Sequence, residues 1–145
     1  MTKPTITKQL LIDADVYPSQ VRLFEETFGD SVIVTAARAK KVAHLFDWRC
    51  AAEKLLDAPA YDAYDRALAP VRAEYDRATA PALADCARAT SPTHIGAPID
   101  RRALRAAMDE YYAATATALE ESNRAGAPAF AKAFINMQRK KETQS

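Results

Sequence analysis

The sequence predicts an all-α protein, with a small N-terminal helical bundle followed by a long antiparallel helical hairpin. Three observations point to this fold class. The chain has 145 residues, 49% of them hydrophobic and only 3 of them glycine, which is enough for one domain with a modest core. Apolar residues recur at helical spacing along its first third. The remaining two-thirds carries a degenerate eleven-residue repeat that is rich in alanine, the residue that favours helices most.

For the N-terminal module, residues 1–57, the sequence predicts a polar tail followed by four short helices. The second helix begins at Pro18 and ends at Gly29, because glycine readily takes the left-handed conformation that follows a helix. The β-branched run over residues 31–34 is too short and too isolated to predict a sheet. We therefore expect it to be an extended connector.

Two further helices complete this module. Thr35 caps a third helix that we expect to run to about Phe46. Asp47 caps a fourth, from Trp48 to Leu56, with large apolar residues on one side.

The composition changes at Ala58, and the eleven-residue repeat that begins at Pro59 defines the second region, residues 58–145. Its aligned units read PAYDAYDRALA, PVRAEYDRATA and PALADCARATS, and prolines recur at positions 59, 70, 81 and 92. The pattern returns over residues 106–127, after an interruption at residues 92–99 that is a loop by its proline and glycine content. Two helices joined by this loop form the predicted hairpin, and a final helical segment follows from Pro128 to Lys141.

Eleven residues make close to three helical turns, so each repeated position stays on nearly the same helix face. The apolar residues then form two stripes that we expect to be buried against each other. The stripes are Tyr61, Tyr64, Val71, Tyr75, Leu83 and Cys86 on the first helix, and Leu104, Met108, Tyr111 and Leu119 on the second.

The prolines leave two structures open for residues 59–91. The segment is either one long helix kinked on its outer face or three short helices, each begun by its proline. We favour the long helix, because the units are joined by Ala-Pro or Ser-Pro and lack other turn residues.

Charge gives only a local indication of a binding surface. The net charge of +1 supplies no general reason to bind nucleic acid or anionic lipid. Two basic clusters remain as a candidate binding surface, and their residues are Arg38, Lys40, Lys41, Arg101, Arg102 and Arg105.

The same sequence predicts a cytoplasmic protein. Its N-terminus lacks the apolar core of a secretory signal, and no stretch approaches the roughly 18 apolar residues that span a bilayer. Cys50 and Cys86 lie far apart without Cys-x-x-Cys spacing and fit a reducing compartment.

Residues that could carry chemistry are few and scattered. His44 and His94 lie in different segments, and no cluster has metal-ligand spacing. Neither Cys50 nor Cys86 shares a catalytic motif with a histidine, and we expect both to be small core residues. We therefore expect no enzymatic activity, no catalytic residue, no metal and no cofactor.

The stretch Leu10–Thr35, with the Ala-Pro-Ala and Glu-Tyr-Asp-Arg-Ala repeats after it, resembles a group of bacterial and phage proteins without an assigned activity. Members of this group often carry a leading Gly-Ala-Cys segment before alanine-rich repeats. Ala14-Asp15-Val16 stands in that place here, so no role of that cysteine carries over. The resemblance implies a helical fold and a phage or mobile-element setting.

These observations lead to a non-enzymatic protein-binding factor of phage or mobile-element type as the first functional hypothesis, with inhibition of a host defence system as one role. The expected partner is a protein and not a membrane. A self-associating structural or assembly protein is the alternative. A nucleic-acid-binding regulator that uses Arg38–Lys41 and Arg101–Arg105 comes third.

Overall fold

The computed structural model describes residues 3–90 and 99–144, and these confirm the all-α fold class with one small addition, a two-stranded sheet. The described elements are β1 (Thr5–Thr7), α1 (Lys8–Asp13), α2 (Pro18–Phe28), β2 (Ser31–Ile33), α3 (Ala36–Lys41), α4 (Trp48–Leu55), α5 (Ala58–Thr90) and α6 (Arg101–Gln144). The predicted loop at residues 92–99 and His94 within it lie outside the described residues, apart from Ile99.

The chain divides into two compact units. Unit 1 contains Met1–Ala69 and Asn123–Ser145, and unit 2 contains Pro70–Ser122. Helices α5 and α6 therefore each contribute residues to both units.

The sheet in unit 1 corrects the expectation of a polar tail and an extended connector. Strand β1 pairs antiparallel with β2, with Ile6 opposite Val32 at the centre of the register. The pairing is possible because α1 and α2 lie between the two strands along the chain and return β2 to β1. Neither strand has a local sequence signal strong enough to reveal a partner so far away along the chain.

The helix ends in unit 1 follow mostly from local sequence. Asp47 accepts a hydrogen bond from the backbone N–H of Cys50 at 3.0 Å and caps α4, as predicted. Gly29 ends α2 with φ of 78°, also as predicted. The expectation that α3 reaches Phe46 is wrong, because α3 ends at Lys41. Beyond it, the chain turns so that the carbonyl of Ala43 accepts a hydrogen bond from the Trp48 indole at 2.9 Å.

A chain of aromatic rings forms the core of unit 1. Trp48 lies between Phe46 and Phe130, with ring centroids 5.9 and 5.7 Å away. Phe130 in turn stacks on Phe134, which is only 1% exposed. Residues of the last third of α6 therefore pack against the N-terminal helices, in a core where each aromatic ring removes a large apolar area from water.

Both long helices continue through their prolines. Helix α5 is continuous across Pro70 and Pro81, which confirms the favoured single helix. Helix α6 is also continuous across Pro128, so the expectation of a separate final segment is wrong. The missing hydrogen bond at Pro128 is offset by packing, since Ala127, Phe130 and Ala131 around it are buried.

The start of α5 is held by contacts within unit 1. The side chain of Asp57 accepts a hydrogen bond from the N–H of Ala60 at 3.0 Å and caps the helix. The backbone N–H of Asp57 donates to the sulfur of Met137 at 3.3 Å, and this methionine is buried.

Unit 2 is the antiparallel pairing of residues 70–90 of α5 with residues 101–122 of α6, the predicted hairpin. Its buried seam is narrow and consists of small side chains, which are Thr79, Ala82, Ala107 and Ala118. Thr79 satisfies its hydroxyl by donating to the carbonyl of Tyr75 at 2.9 Å. Thr79 and Ala82 are three residues apart on α5, and Ala107 and Ala118 are eleven residues apart on α6, so each pair lies near one face of its helix.

Gly126 lies inside α6, and a Cβ added there would be 3.5 Å from the Cβ of Trp48, an ordinary contact. Because alanine favours a helix over glycine, we expect Gly126→Ala to raise the free energy of unfolding by about 0.5–1 kcal/mol. Urea denaturation monitored by Trp48 fluorescence measures this change. Gly29→Ala is the control, and its positive φ should cost about 1–3 kcal/mol instead. A destabilised Gly126→Ala would contradict the packing described for Trp48.

Candidate functional site

Among the described residues of unit 2, five large apolar side chains are exposed, and four of them lie on α5 and α6. Leu83 and Leu119 are each 57% exposed, Tyr112 is 60% exposed and Met108 is 38% exposed. We call these four residues the apolar face. Ile99 is also exposed in unit 2, and Ile12 and Tyr17 are exposed in unit 1.

The four residues share one position relative to the seam of the hairpin. Leu83 follows the buried Ala82, Met108 follows Ala107, and Leu119 follows Ala118. Tyr112 likewise follows the half-buried Tyr111. A residue one step after a seam residue is rotated by about 100° from it, and in an antiparallel pair these positions of both helices lie on the same side. Leu83 of α5 and the three residues of α6 therefore belong to one surface.

This surface corrects the predicted buried stripes. The expectation that Leu83, Met108 and Leu119 are buried is wrong. The seam is lined by alanine and threonine, so the two helices can approach closely. Only the side chains that point directly at the other helix are then buried. Tyr112 belonged to neither predicted stripe, although the spacing Met108, Tyr112, Leu119 is itself helical.

The six predicted basic residues are divided between the two units. Arg38, Lys40 and Lys41 lie exposed on α3 in unit 1, and Arg38 donates a hydrogen bond to the carbonyl of Ile33 at 2.9 Å. Arg38 and Lys41 line a shallow groove of about 540 Å³, together with Thr27 and Ser31. Their role in binding stays a prediction.

The other three, Arg101, Arg102 and Arg105, lie exposed in the first turns of α6 in unit 2. The positive end of a helix dipole disfavours basic residues at this place. Asp100 offsets part of this cost, because its carboxylate accepts hydrogen bonds from the backbone N–H groups of Arg102 and Ala103, both at 3.1 Å. Among the described residues, no salt bridge involves these three arginines.

Charge is strongly segregated along the part of α6 that belongs to unit 2. Residues 101–108 contain three arginines and no acidic residue. Residues 109–122 contain no basic residue and four acidic ones, Asp109, Glu110, Glu120 and Glu121. The apolar face thus lies along a helix that is positive at one end and negative over the rest.

Unit 1 contains an apolar cavity of about 80 Å³ beside the aromatic core. Its lining includes Phe24, Phe46 and Trp48, and also Cys50. Burial raises the pKa of the Cys50 thiol above its ordinary value of 9.0, and the negative charge of Asp47 raises it further. A thiol held in its protonated form is a weak nucleophile, so this position fits the predicted packing role.

Within residues 3–90 and 99–144, no group of three or more His, Cys, Asp or Glu side chains could hold a metal ion. Across the same residues, no helix is both long enough and apolar enough to cross a bilayer. Both cysteines are free thiols.

Comparisons of the chain with protein-family models, with curated proteins and with solved structures find no match. The resemblance to the bacterial and phage group therefore stays a prediction.

The raised pKa of Cys50 predicts a stability change at high pH. Above pH 9 the unfolded chain releases the Cys50 proton more readily than the folded chain, so the free energy of unfolding falls as the pH rises further. We expect Cys50→Ala to reduce this fall relative to the wild type in urea titrations across this range. Cys86→Ala, which leaves Cys50 in place, is the control and should keep it. Equal slopes for all three proteins would show that the Cys50 thiol is not protected by the fold.

Proposed function

We propose that the protein is a non-enzymatic protein-binding factor and that its binding surface is the apolar face of unit 2. The observation that carries this proposal is the exposure of Leu83, Tyr112 and Leu119, each of which leaves more than half of its side chain in contact with water. Several large apolar side chains exposed on one side of a helical hairpin are typical of a protein interface.

The composition of the face supports the same function. Tyrosine and methionine are enriched in protein interfaces, tyrosine because its ring is large and rigid, and methionine because its flexible side chain adapts to the partner. On α6, Tyr112 lies between the other two residues of the apolar face, Met108 and Leu119. The acidic and basic residues of α6 then supply a charged rim, which gives an interface its specificity.

The setting of this binding is a further part of the proposal and is supported by the sequence resemblance alone. We place the protein in the cytoplasm of a bacterial host, as a phage or mobile-element product whose partner is a protein. Inhibition of a host defence system is the role that we propose for it there.

Photo-crosslinking in cells tests the binding surface directly. We expect a photoreactive phenylalanine analogue at Tyr112 to give protein adducts, because this side chain is 60% exposed at the centre of the face. The same analogue at Thr117 is the control, since Thr117 precedes the seam residue Ala118 and lies on the other side of the hairpin. Adducts at neither position, or equal adducts at both, would reject the apolar face as the binding surface.

The same proposal predicts that the apolar face contributes little to the stability of the isolated chain. We expect Leu119→Gln to change the free energy of unfolding by less than about 0.5 kcal/mol at high dilution, because the side chain is already exposed. Phe134→Ala, in the core of unit 1, should instead lower it by about 3–5 kcal/mol. Thermal and urea denaturation measure both variants. A large loss in Leu119→Gln would assign the residue to folding rather than to binding.

A further inference from the structure

We propose that the occupant of the apolar face is a second copy of this chain, with α6 of one copy packed antiparallel against α6 of the other across a two-fold axis near Tyr112. This inference rests on the proposed function, because it uses the same surface and names its partner. It is carried by the charge pattern of α6 and by the position of the apolar residues within that pattern.

A two-fold interface requires a surface that is complementary to itself. The positive segment 101–108 and the negative segment 109–122 meet this requirement only when two copies of α6 run in opposite directions. In that orientation Arg101 and Arg102 of one copy lie beside Glu120 and Glu121 of the other. The helix dipoles are then also antiparallel, which removes the repulsion that a parallel pair would have.

Arg102 and Glu120 lie on the same side of the row formed by Met108, Tyr112 and Leu119. Arg102 and Glu120 are about five helical turns apart, so both point to the same side of α6. When the two-fold axis passes near Tyr112, Arg102 of one copy faces Glu120 of the other, and the symmetry creates this pair twice. The pairing also gives a function to the basic residues at the positive end of the helix, which the fold of one copy disfavours.

The apolar residues are placed for the same arrangement. Met108 and Tyr112 lie on either side of the axis and pack on their counterparts in the second copy. Leu119 then lies over the first turns of the other α6, where the aliphatic parts of Arg101 and Arg105 can cover it. The segment of α6 in unit 2 is about 33 Å long, enough for a helix-to-helix interface of this kind.

The thin seam of unit 2 supplies a reason for the second copy. Two helices that bury mainly alanine and threonine between them remove little apolar area from water. Two hairpins packed side by side give a four-helix arrangement, in which the apolar face becomes core. A partner of different sequence would cover the same side chains, but the self-complementary charge of α6 favours an identical one.

Sedimentation equilibrium of the full chain over a wide concentration range tests the inference. We expect a reversible monomer–dimer equilibrium, which Leu119→Arg weakens by about tenfold or more because it places a positive charge beside Arg101 and Arg105 of the other copy. Thr117→Arg is the matched control, since it adds the same charge to the same helix on the other side of the seam, and it should leave the dimer intact.

A charge exchange tests the antiparallel pairing itself. Arg102→Glu and Glu120→Arg should each weaken the dimer, and the double variant should restore it, because the exchanged charges attract again across the axis. In a background with Cys50→Ala and Cys86→Ala, Tyr112→Cys should form a disulfide-linked dimer on mild oxidation, whereas Thr117→Cys should not. Circular dichroism confirms that each variant is folded.

The outcomes separate this inference from the proposed function. A protein that stays monomeric at all concentrations, yet gives adducts with another protein at Tyr112, would overturn the second copy as occupant and keep the binding surface. A dimer whose stability is unchanged by both Leu119→Arg and the charge exchange would overturn the inference as well. A monomer without adducts at Tyr112 would overturn both.

Discussion

The packing of Trp48 is the interaction on which unit 1 depends. Its indole donates to the carbonyl of Ala43, and its ring contacts Phe46 on one side and Phe130 of α6 on the other. Gly126 of α6 lies beside this core, and a Cβ added there would be 3.5 Å from the Cβ of Trp48. The N-terminal helices and the end of the chain therefore share one core, although about eighty residues separate Trp48 from Phe130 in sequence.

Unit 2 differs from unit 1 in the size of the side chains that hold it together. Its seam is made of small residues, and its large side chains lie outside that seam rather than within it. Tyr111 and Tyr112 form a ring pair on α6 itself, so this contact does not hold the two helices together. Helices gain most of their stability from tertiary packing, and a hairpin with little of it is suited to acquire more by association. Stability and binding are thus divided between the two units in a way that composition alone does not reveal.

The sequence predicts those features of the fold that depend on neighbouring residues. The caps at Asp47 and Asp100, the end of α2 at Gly29 and the two long helices follow from local chemistry and periodicity. The pairing of β1 with β2 and the early end of α3 do not, since each depends on a contact made after the chain has folded. The same limit applies to the candidate site. The repeat shows that Leu83 and Leu119 are equivalent, but only the position of the alanine seam shows that both are exposed.

The contact between Met137 and the start of α5 links this core to oxidation. The thioether of Met137 accepts the backbone N–H of Asp57 while it is buried from water. Conversion to the sulfoxide would add a polar oxygen to a side chain that is buried from water. Oxidation of this one sulfur atom would then disturb the contact between α6 and the residue that precedes α5, where the repeat region begins. The rate at which oxidants inactivate the fold therefore depends on how often the buried Met137 side chain becomes exposed to solvent.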